Sequence, residues 1–359
     1  MDVAVIGATG DVGRAVCAQL IEKRVLRPTS RLQVVGRRNG RSALAAHGLR
    51  SDLIDAFDEH APSIDVATSP EGVVADVIVI AAGATPPVDA TQIIDRDALA
   101  RENLDVFREY AAAIRDRGTG QEVVVIVSNP VELAVSVFAE ALGRHRVIGM
   151  GAWLDTLRFR REIASDLGIR RQRVSGFVVG QHGDGAVPLW STVRLRGLDS
   201  DERSEVVARV RGERTLDIFA AEVADAKARL AAVGAVDPAS AFAMVETLRP
   251  GVRGVVRPYL THTSGAKTVN ATAAATVDLV DAVLDGREIV VAGQVLLDGE
   301  VNLNGRSLKG VLGVPLVIGP DGWTRVLLED LAADETRRLE TIHRQIQSAV
   351  ASWTSEGAA

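Results

Sequence analysis

The chain has 359 residues, enough for two domains, and its 47% apolar and 25% charged content is ordinary for a globular protein. A formal net charge of −6 leaves no basic surplus to neutralise phosphates, which argues against a nucleic-acid partner. No apolar run approaches the ~20 residues that span a bilayer, and no targeting segment precedes the first strand-like run, so we expect a cytoplasmic protein without membrane partners. The single cysteine, Cys17, excludes an internal disulfide and a multi-cysteine metal site.

Short apolar runs alternate with helical patterns in the first half of the chain. The runs that we interpret as strands are Val3 to Ile6, Leu32 to Val35, Asp76 to Ala82 and Glu122 to Val127. Continuous apolar strands of this kind are typical of a parallel sheet that is buried on both faces. Between the last two, apolar residues recur at helical spacing from Leu99 to Ile114. The pattern predicts an α/β fold with a Rossmann-type, doubly wound parallel sheet over residues 1–150.

The second half of the chain has a different pattern. Strands are predicted near 174–179, 192–195, 289–297 and 313–318, and amphipathic helices near 203–232, 270–285 and 332–353. We therefore expect an α+β substrate domain over residues 151–359 that follows the dinucleotide-binding domain and ends in a long helix.

A glycine-rich turn joins the first strand to the first helix. Its residues are Gly7, Ala8, Thr9, Gly10, Asp11, Val12 and Gly13. Glycines permit a tight turn and close backbone approach, so that a pyrophosphate can lie on the helix N-terminus. Many strand–helix turns contain glycine, but the place of this one at the start of a βα pattern favours a dinucleotide.

The end of the second strand bears on which dinucleotide binds. NAD-binding units usually have an Asp or Glu there, about 20 residues on, for the ribose 2′-hydroxyl. This chain has Gly36, Arg37 and Arg38 instead. Two guanidiniums at this place are the pattern expected for NADP, with NAD still possible. The alternative is that both arginines are simply solvated.

Three residues with complementary chemistry follow the first domain. Asp155 and Arg158 lie in the segment LDTLRFR, and His182 lies in GQHGDGAVPLW. A guanidinium can bind a carboxylate through two parallel hydrogen bonds. An imidazole can transfer a hydroxyl proton, and a carboxylate can orient the ring and stabilise its charged form. The trio therefore points to chemistry on a small carboxylic acid.

Four motifs together resemble the lactate/malate dehydrogenase family. They are GATGDVG at 7–13, SNPVE at 128–132, LDTLR at 154–158 and GQHGD at 180–184. Their order and spacing match that family, and the segment GVLGVP at 310–315 resembles its C-terminal region. The resemblance runs through nearly the whole chain and implies hydride transfer between a nicotinamide cofactor and a 2-oxo or 2-hydroxy acid, without a metal.

The resemblance also implies roles for single residues. His182 would be the general acid/base, Asp155 its carboxylate partner and Arg158 the residue that binds the substrate carboxylate. Arg96 corresponds to an arginine on a mobile loop that polarises the substrate carbonyl, and Asn129 to a residue that contacts substrate and nicotinamide. Further positions are assigned by the same resemblance: Thr268 to the substrate, with Lys267 as the alternative register, and Gly83, Asn103 and Ser128 to the cofactor. Relatives are usually dimers or tetramers, so a homodimer or homotetramer is expected.

The chain departs from the family in the loop that sets substrate identity. Malate enzymes have an extra arginine there, whereas residues 84–95 contain no Lys or Arg, and the loop is longer than usual. A dicarboxylate would leave its distal charge unpaired, which argues against ordinary malate dehydrogenase activity. Asp89 and Asp95 could favour a polar or cationic substrate side chain, or Asp95 could cap a helix. Trp153 could reshape the pocket or pack beneath it.

Three alternatives to this interpretation stay open. The first is a malate dehydrogenase whose specificity residue lies elsewhere in the chain. The second is an NAD-dependent glycoside hydrolase, which shares the nucleotide fold but requires a divalent metal. The third is a protein that binds the cofactor without catalysis. The segment from Phe219 to Ser264 is also longer than the family needs, and it could line the pocket or cover an oligomer interface.

Overall fold

A six-stranded parallel sheet forms the first half of the molecule. The computed structural model describes residues 1–85, 95–328 and 330–356. The strands are β1 (Val3–Ile6), β2 (Arg31–Val35), β3 (Ser63–Ala67), β4 (Val77–Ile80), β5 (Val123–Ile126) and β6 (Val147–Gly149). The helices are α1 (Asp11–Glu22), α2 (Arg41–Ala56), α3 (Arg96–Arg117) and α4 (Val131–Leu142). The strand order β3-β2-β1-β4-β5-β6 confirms the Rossmann-type prediction.

The central strands of this sheet are buried. All four residues of β1, of β4 and of β5 are buried, as expected for apolar strands covered by helices on both faces. Because these strands are parallel, their carboxyl ends meet at one edge of the sheet. The loops that follow β1, β4 and β5 are therefore brought to the same place, where doubly wound folds bind their ligands.

The second half extends the same sheet with antiparallel strands. Its strands are β7 (Val174–Gly180), β8 (Ala186–Leu195), β9 (Ile289–Leu303), β10 (Arg306–Gly319) and β11 (Gly322–Val326). Its helices are α5 (Gly151–Asp166), α6 (Ser200–Arg211), α7 (Phe219–Gly234), α8 (Pro238–Glu246), α9 (Pro250–Thr261), α10 (Val269–Asp285) and α11 (Ala333–Glu356). The order continues β6-β9-β10-β7-β8, with β11 beside β10. Gly149 pairs with Gln294 where the two halves join.

Some sequence predictions differ from these elements. The prediction of a single helix over 203–232 is wrong, because α6 ends at Arg211 with Gly212 (φ 71°) as its C-cap and α7 begins only at Phe219. A positive φ suits glycine and stops the helix. Of the substrate loop, residues 86–94, with Asp89, lie outside the described residues. Asp95 caps α3, accepting hydrogen bonds from Asp97 N at 2.9 Å and Ala98 N at 3.0 Å.

The long segment from Phe219 to Ser264 includes α7, α8 and α9, and α9 packs on α5. Arg253 of α9 is only 3% exposed and forms ion pairs with Glu162 and Asp166 of α5. It also donates to the Glu162 carbonyl at 3.0 Å. Arg253 therefore fixes α9 against α5 and does not line a substrate pocket. A buried network of this kind specifies one arrangement of the two helices.

Two further expectations can be compared with the structure. Cys17 is buried in α1, and burial raises the pKa of its thiol to about 12, so it is a core residue. Among the described residues, no helix is both long enough and apolar enough to cross a membrane.

Candidate active site

The glycine loop after β1 is held by its own backbone. The amides of Gly7 and Ala8 donate to the carbonyl of Val35, at 3.1 and 3.2 Å, which fixes the loop to the end of β2. Gly7 has φ 81°, and a Cβ there would lie 2.5 Å from the Ala81 carbonyl oxygen. A Cβ on Gly13 would lie 2.3 Å from the oxygen of Gly7. Both glycines are therefore required by the packing of the protein itself.

Gly10 is different, because the protein leaves room for a side chain there. Its φ of −80° suits any residue, and a Cβ would meet no atom closer than the Gly7 oxygen at 3.5 Å. The residue is exposed, and α1 begins directly after it without a side-chain cap. An open helix N-terminus behind a glycine offers unpaired amides to an anion. This loop therefore fits the pyrophosphate of a dinucleotide.

The residues after β2 lie next to this loop. Ser42 of α2 joins them to it, since its Oγ lies 3.1 Å from Thr9 Oγ1 and accepts from the amide of Arg37 at 3.0 Å. Arg38 is committed to Glu71, with 3.2 Å between Nη2 and Oε2. The guanidinium of Arg37 has no hydrogen-bond or ion-pair partner in the described part of the chain, and the residue is exposed. Of the two arginines, Arg37 is the freer to bind a ligand.

Asn103 fastens the loop after β4 to the loop after β5. It is fully buried, and its Oδ1 accepts from Ala84 N at 2.6 Å. Its Nδ2 donates to the carbonyls of Ala84 (3.2 Å) and Asn129 (2.6 Å). A Cβ on Gly83 would lie 2.6 Å from Asn103 Oδ1, so a glycine is needed beside this amide. Asn103 thus holds the two loops together, and its role toward the cofactor stays a prediction.

Ser128 has a similar structural position. Its Oγ donates to the carbonyls of Ile80 at 3.1 Å and Ala82 at 2.6 Å, and the residue is buried. The hydroxyl closes the gap between β4 and β5 just before the loops diverge. The contact predicted between Ser128 and the cofactor stays a prediction.

His182, Asp155 and Arg158 form one hydrogen-bonded unit. His182 Nδ1 lies 2.8 Å from Asp155 Oδ2, which also accepts from the amide of Gly183 at 3.2 Å. Arg158, one turn along α5, donates through Nη1 to Asp155 Oδ1 at 3.1 Å. Asp155 and Arg158 are 7% and 9% exposed, whereas the His182 side chain is 20% exposed. Nε2 of His182 is left to face a ligand, as are Nε and Nη2 of Arg158, which have no partner among the described residues.

The charge of Asp155 is stabilised by this arrangement. Burial alone would raise its pKa, but the charge and hydrogen bond of His182, together with Arg158 and the Gly183 amide, lower the pKa below the ordinary range. Burial lowers the pKa of Arg158, and its pairing with Asp155 opposes that effect. Asp155 therefore remains an anion that holds the imidazole of His182 through Nδ1.

Glu132, for which the sequence predicts no role, links the trio to Arg96. It is fully buried at the start of α4. Its Oε1 accepts from the amide of His182 at 2.9 Å, and its Oε2 accepts from Arg96 Nη2 at 3.0 Å. Arg96 Nη1 also donates to the His182 carbonyl at 3.3 Å. Glu132 therefore positions both the candidate acid/base and the candidate electrophile.

Gly151, the first residue of α5, was also missed. A Cβ there would lie 2.6 Å from His182 Cγ, so any side chain would displace the imidazole. Trp153, two residues on, is 9% exposed and its ring lies 5.2 Å from the Arg160 guanidinium. The structure thus supports packing for Trp153, one of the two interpretations left open.

The remaining predicted substrate residues lie at the edges of this unit. Asn129 is half-buried, and its side chain has no hydrogen-bond partner among the described residues. Thr268 is the N-cap of α10, with its Oγ1 3.4 Å from Thr272 Oγ1. Lys267, the alternative to Thr268 for the predicted substrate contact, donates to Asp11 Oδ2 at 2.5 Å, next to the glycine loop.

Similarity to known proteins agrees with this geometry. Residues 1–149 match the family model described as the NAD-binding domain of lactate/malate dehydrogenase. The malate dehydrogenase of Chlorobium phaeobacteroides is 27% identical over 347 residues, with 95% of this chain and 94% of that protein covered. The L-lactate dehydrogenase of Treponema denticola is 27% identical over 311 residues, with 85% of each covered. These matches place residues 1–149 in the lactate/malate dehydrogenase family and support that family for the whole chain.

The fold of this chain is also similar to that of a solved lactate dehydrogenase structure. The lactate dehydrogenase from Cryptosporidium parvum, complexed with lactic acid and β-nicotinamide adenine dinucleotide, superimposes with a TM-score of 0.75 at 20% identity, covering 98% of both chains. The family model and the named relatives indicate an oxidoreductase of the lactate/malate dehydrogenase type, with a domain for a nicotinamide cofactor.

Proposed function

We propose that the protein is an NADP-preferring 2-hydroxy-acid dehydrogenase whose substrate is neither malate nor lactate. The observation that supports its chemistry most directly is the Asp155 carboxylate, which binds His182 Nδ1 through one oxygen and Arg158 through the other. Asp155 thus holds two groups next to each other, an imidazole that can transfer a proton and a guanidinium that can bind a carboxylate.

His182 performs the proton transfer in this proposal. When bound, a reduced nicotinamide supplies the hydride to the carbonyl carbon of a 2-oxo acid. His182 in its protonated form donates the proton on Nε2 to the carbonyl oxygen, which becomes the hydroxyl, and the reverse direction returns the proton to the same atom. Asp155 holds the ring through Nδ1 and compensates the imidazolium charge.

The two arginines of the site have different tasks. Arg158 binds the substrate carboxylate through Nε and Nη2, while its Nη1 remains on Asp155. Arg96 polarises the substrate carbonyl and stabilises the charge that develops on its oxygen. Glu132 and the His182 carbonyl hold Arg96 beside the acid/base. Asn129 and Thr268 contribute polar contacts to the bound acid.

Arg37 determines the preference for NADP in our proposal. It takes the place after β2 next to Gly36, where NAD-binding units usually have an acid. Its backbone amide donates to Ser42, which contacts the glycine loop through Thr9, and its guanidinium has no hydrogen-bond or ion-pair partner among the described residues. A 2′-phosphate there gains charge-assisted hydrogen bonds, whereas the ribose hydroxyl of NAD finds no carboxylate to accept from.

The substrate side chain is neutral or polar rather than acidic. Residues 84–95 contain no cation, and Lys267, which could have supplied one, is paired with Asp11. A dicarboxylate would thus bury an unpaired charge. Relatives named malate dehydrogenase keep one second candidate open, a malate dehydrogenase whose distal-carboxylate cation lies elsewhere.

Steady-state kinetics tests the proposal. With NADPH and NADH in turn, a panel of 2-oxo acids with apolar, polar, cationic and acidic side chains is reduced, and kcat/KM is compared. We expect NADPH to be preferred and oxaloacetate to be a poor substrate. Efficient reduction of oxaloacetate establishes the malate dehydrogenase alternative, and no oxidation of either cofactor by any acid refutes the function.

We further propose that the enzyme works in the cytoplasm as a homodimer or homotetramer. The single, buried cysteine suits a reducing compartment. Light scattering coupled to size-exclusion chromatography gives the oligomeric state, and a monomer at assay concentration contradicts this part of the proposal.

A further inference from the structure

An ion pair joins the cofactor loop to the substrate half of the molecule. Lys267 Nζ donates to Asp11 Oδ2 at 2.5 Å, although the two residues are 256 positions apart. Lys267 has φ 53° and follows a turn in which Gly265 has φ 87°. A positive φ is unfavourable for lysine, so the turn holds this side chain in a direction that an ordinary helix entry would not give.

The pair lies at the end of α1 that faces the expected pyrophosphate. Asp11 is the first residue of α1, directly after the exposed Gly10. Other contacts between α1 and α10 lie further along: Gln19 Nε2 donates to the Asn270 carbonyl at 3.5 Å, and Lys23 lies 4.0 Å from Asp278. Lys267, just before α10, thus places its ammonium at the N-terminal end of α1, where we expect the pyrophosphate.

The charges at this end need a cation. A carboxylate at the first position of a helix is favourable by itself, because it faces the positive end of the helix dipole. A pyrophosphate at the same place would be repelled by Asp11, which is 60% exposed. An ammonium between the two anions removes that repulsion and binds both.

We infer that Lys267 is a cofactor-binding residue that contacts the pyrophosphate from the substrate half, with Asp11 holding its ammonium at the loop. The inference rests on the nicotinamide-cofactor site of the proposed function but not on the preference for NADP, since both cofactors have a pyrophosphate. Because Thr268 is the next residue, the contact also fixes the turn that precedes the substrate-binding end of α10.

Equilibrium binding of NADPH and NADH tests the inference without turnover. The dissociation constants are measured by nicotinamide fluorescence for Lys267→Met, Lys267→Arg and Asp11→Asn, with melting temperatures alongside. Lys23→Met is the matched control, because Lys23 forms the α1–α10 ion pair at the opposite end of α1. An Arg37→Met variant shows what a loss confined to the 2′-phosphate looks like.

Substitution of Lys267 and substitution of Asp11 should affect the affinity for the cofactor differently. Lys267→Met weakens NADPH and NADH binding alike, by about tenfold for one lost charge-assisted hydrogen bond. Lys267→Arg retains most of the affinity, Lys23→Met stays within about twofold, and Asp11→Asn binds at least as tightly as the wild type. Both charge removals should leave the protein folded, and the melting temperatures check this.

Other outcomes overturn the inference. Unchanged affinity in Lys267→Met means that Lys267 does not contact the cofactor. Equal weakening by Lys267→Met and Asp11→Asn with a matching loss of melting temperature means that the pair is only a structural tie, as does equal weakening by Lys23→Met. A wild type that prefers NADH refutes the NADP proposal and leaves the inference standing, whereas one that binds neither cofactor refutes both.

Discussion

Replacing Glu132 by glutamine tests whether the buried carboxylate organises the site. The substitution keeps the shape and removes the charge that Arg96 and the His182 amide share. An amide oxygen can still accept from the His182 amide, but the new NH₂ group then faces the Nη2 donor of Arg96. Two donors in contact repel, so Arg96 leaves the position beside His182.

The loss can be estimated from this geometry. Hydrogen bonds to charged groups contribute about 1.5–3 kcal/mol. Glu132 is fully buried, but the Arg96 side chain is 31% exposed and can turn to water, which favours the lower end of that range. A loss of about 1.5–2 kcal/mol corresponds to a decrease of roughly 10- to 30-fold in kcat/KM. The affinity for NADPH should not change, because Arg96 acts on the substrate carbonyl.

The assay uses initial rates with the 2-oxo acid that the wild type reduces fastest. Glu335→Gln is the matched control: Glu335 is equally buried but accepts from Ser191 N at 3.0 Å and Ser191 Oγ at 2.6 Å, outside the candidate site. It should lower the melting temperature without the loss of kcat/KM. A double variant with Arg96→Met should lose little more than Arg96→Met alone, because Glu132 acts through Arg96. A Glu132→Gln protein whose kcat/KM is within twofold of the wild type refutes the positioning role.

Further variants test the other assignments. Gly151→Ala should lower kcat strongly, measured with saturating NADPH, because its Cβ would meet His182 Cγ at 2.6 Å; an unchanged kcat contradicts the collision. Asp155 has a lowered pKa in the folded state, so its charge stabilises the fold above the ordinary pKa of about 4. That stabilisation disappears as the pH falls through the lower folded pKa of Asp155. The difference in melting temperature between wild type and Asp155→Asn should therefore shrink as the pH falls, and a difference that stays constant with pH contradicts this prediction. Arg37→Met should reduce the NADPH/NADH ratio of kcat/KM about tenfold for one charge-assisted contact, and Arg38→Met by less, since Arg38 is paired with Glu71; equal effects contradict this ranking.

The sequence predicted those features whose signal is local. The strands β1, β4 and β5 are continuous apolar runs, and the loop at 7–13 lies at a strand–helix junction, so both could be placed by pattern alone. Strand β3 (Ser63–Ala67) mixes polar and apolar residues, and β6 has three residues, which gives too little pattern to detect. The break after α6 depends on Gly212, and an isolated glycine in a helical pattern is often tolerated.

The parts of the site that were missed depend on distant contacts. Glu132 meets Arg96 and His182 at separations of 36 and 50 residues, and nothing in its local pattern indicates a buried anion. Gly151 matters only because of the imidazole that folds against it. Asn103 was predicted by resemblance to bind the cofactor, and in the structure its buried amide binds backbone groups of Ala84 and Asn129. The structure shows which backbone groups the Asn103 side chain binds, and its role toward the cofactor stays a prediction.

The central claim is that His182 transfers a proton during NADPH-linked reduction of a 2-oxo acid. Its most direct measurement is kcat for His182→Ala together with the dissociation constant for NADPH, determined on the same preparation. We predict that kcat falls by about 10²- to 10⁴-fold, the usual contribution of a general acid/base, while NADPH affinity stays within twofold. A variant that retains a tenth or more of the wild-type kcat contradicts the account.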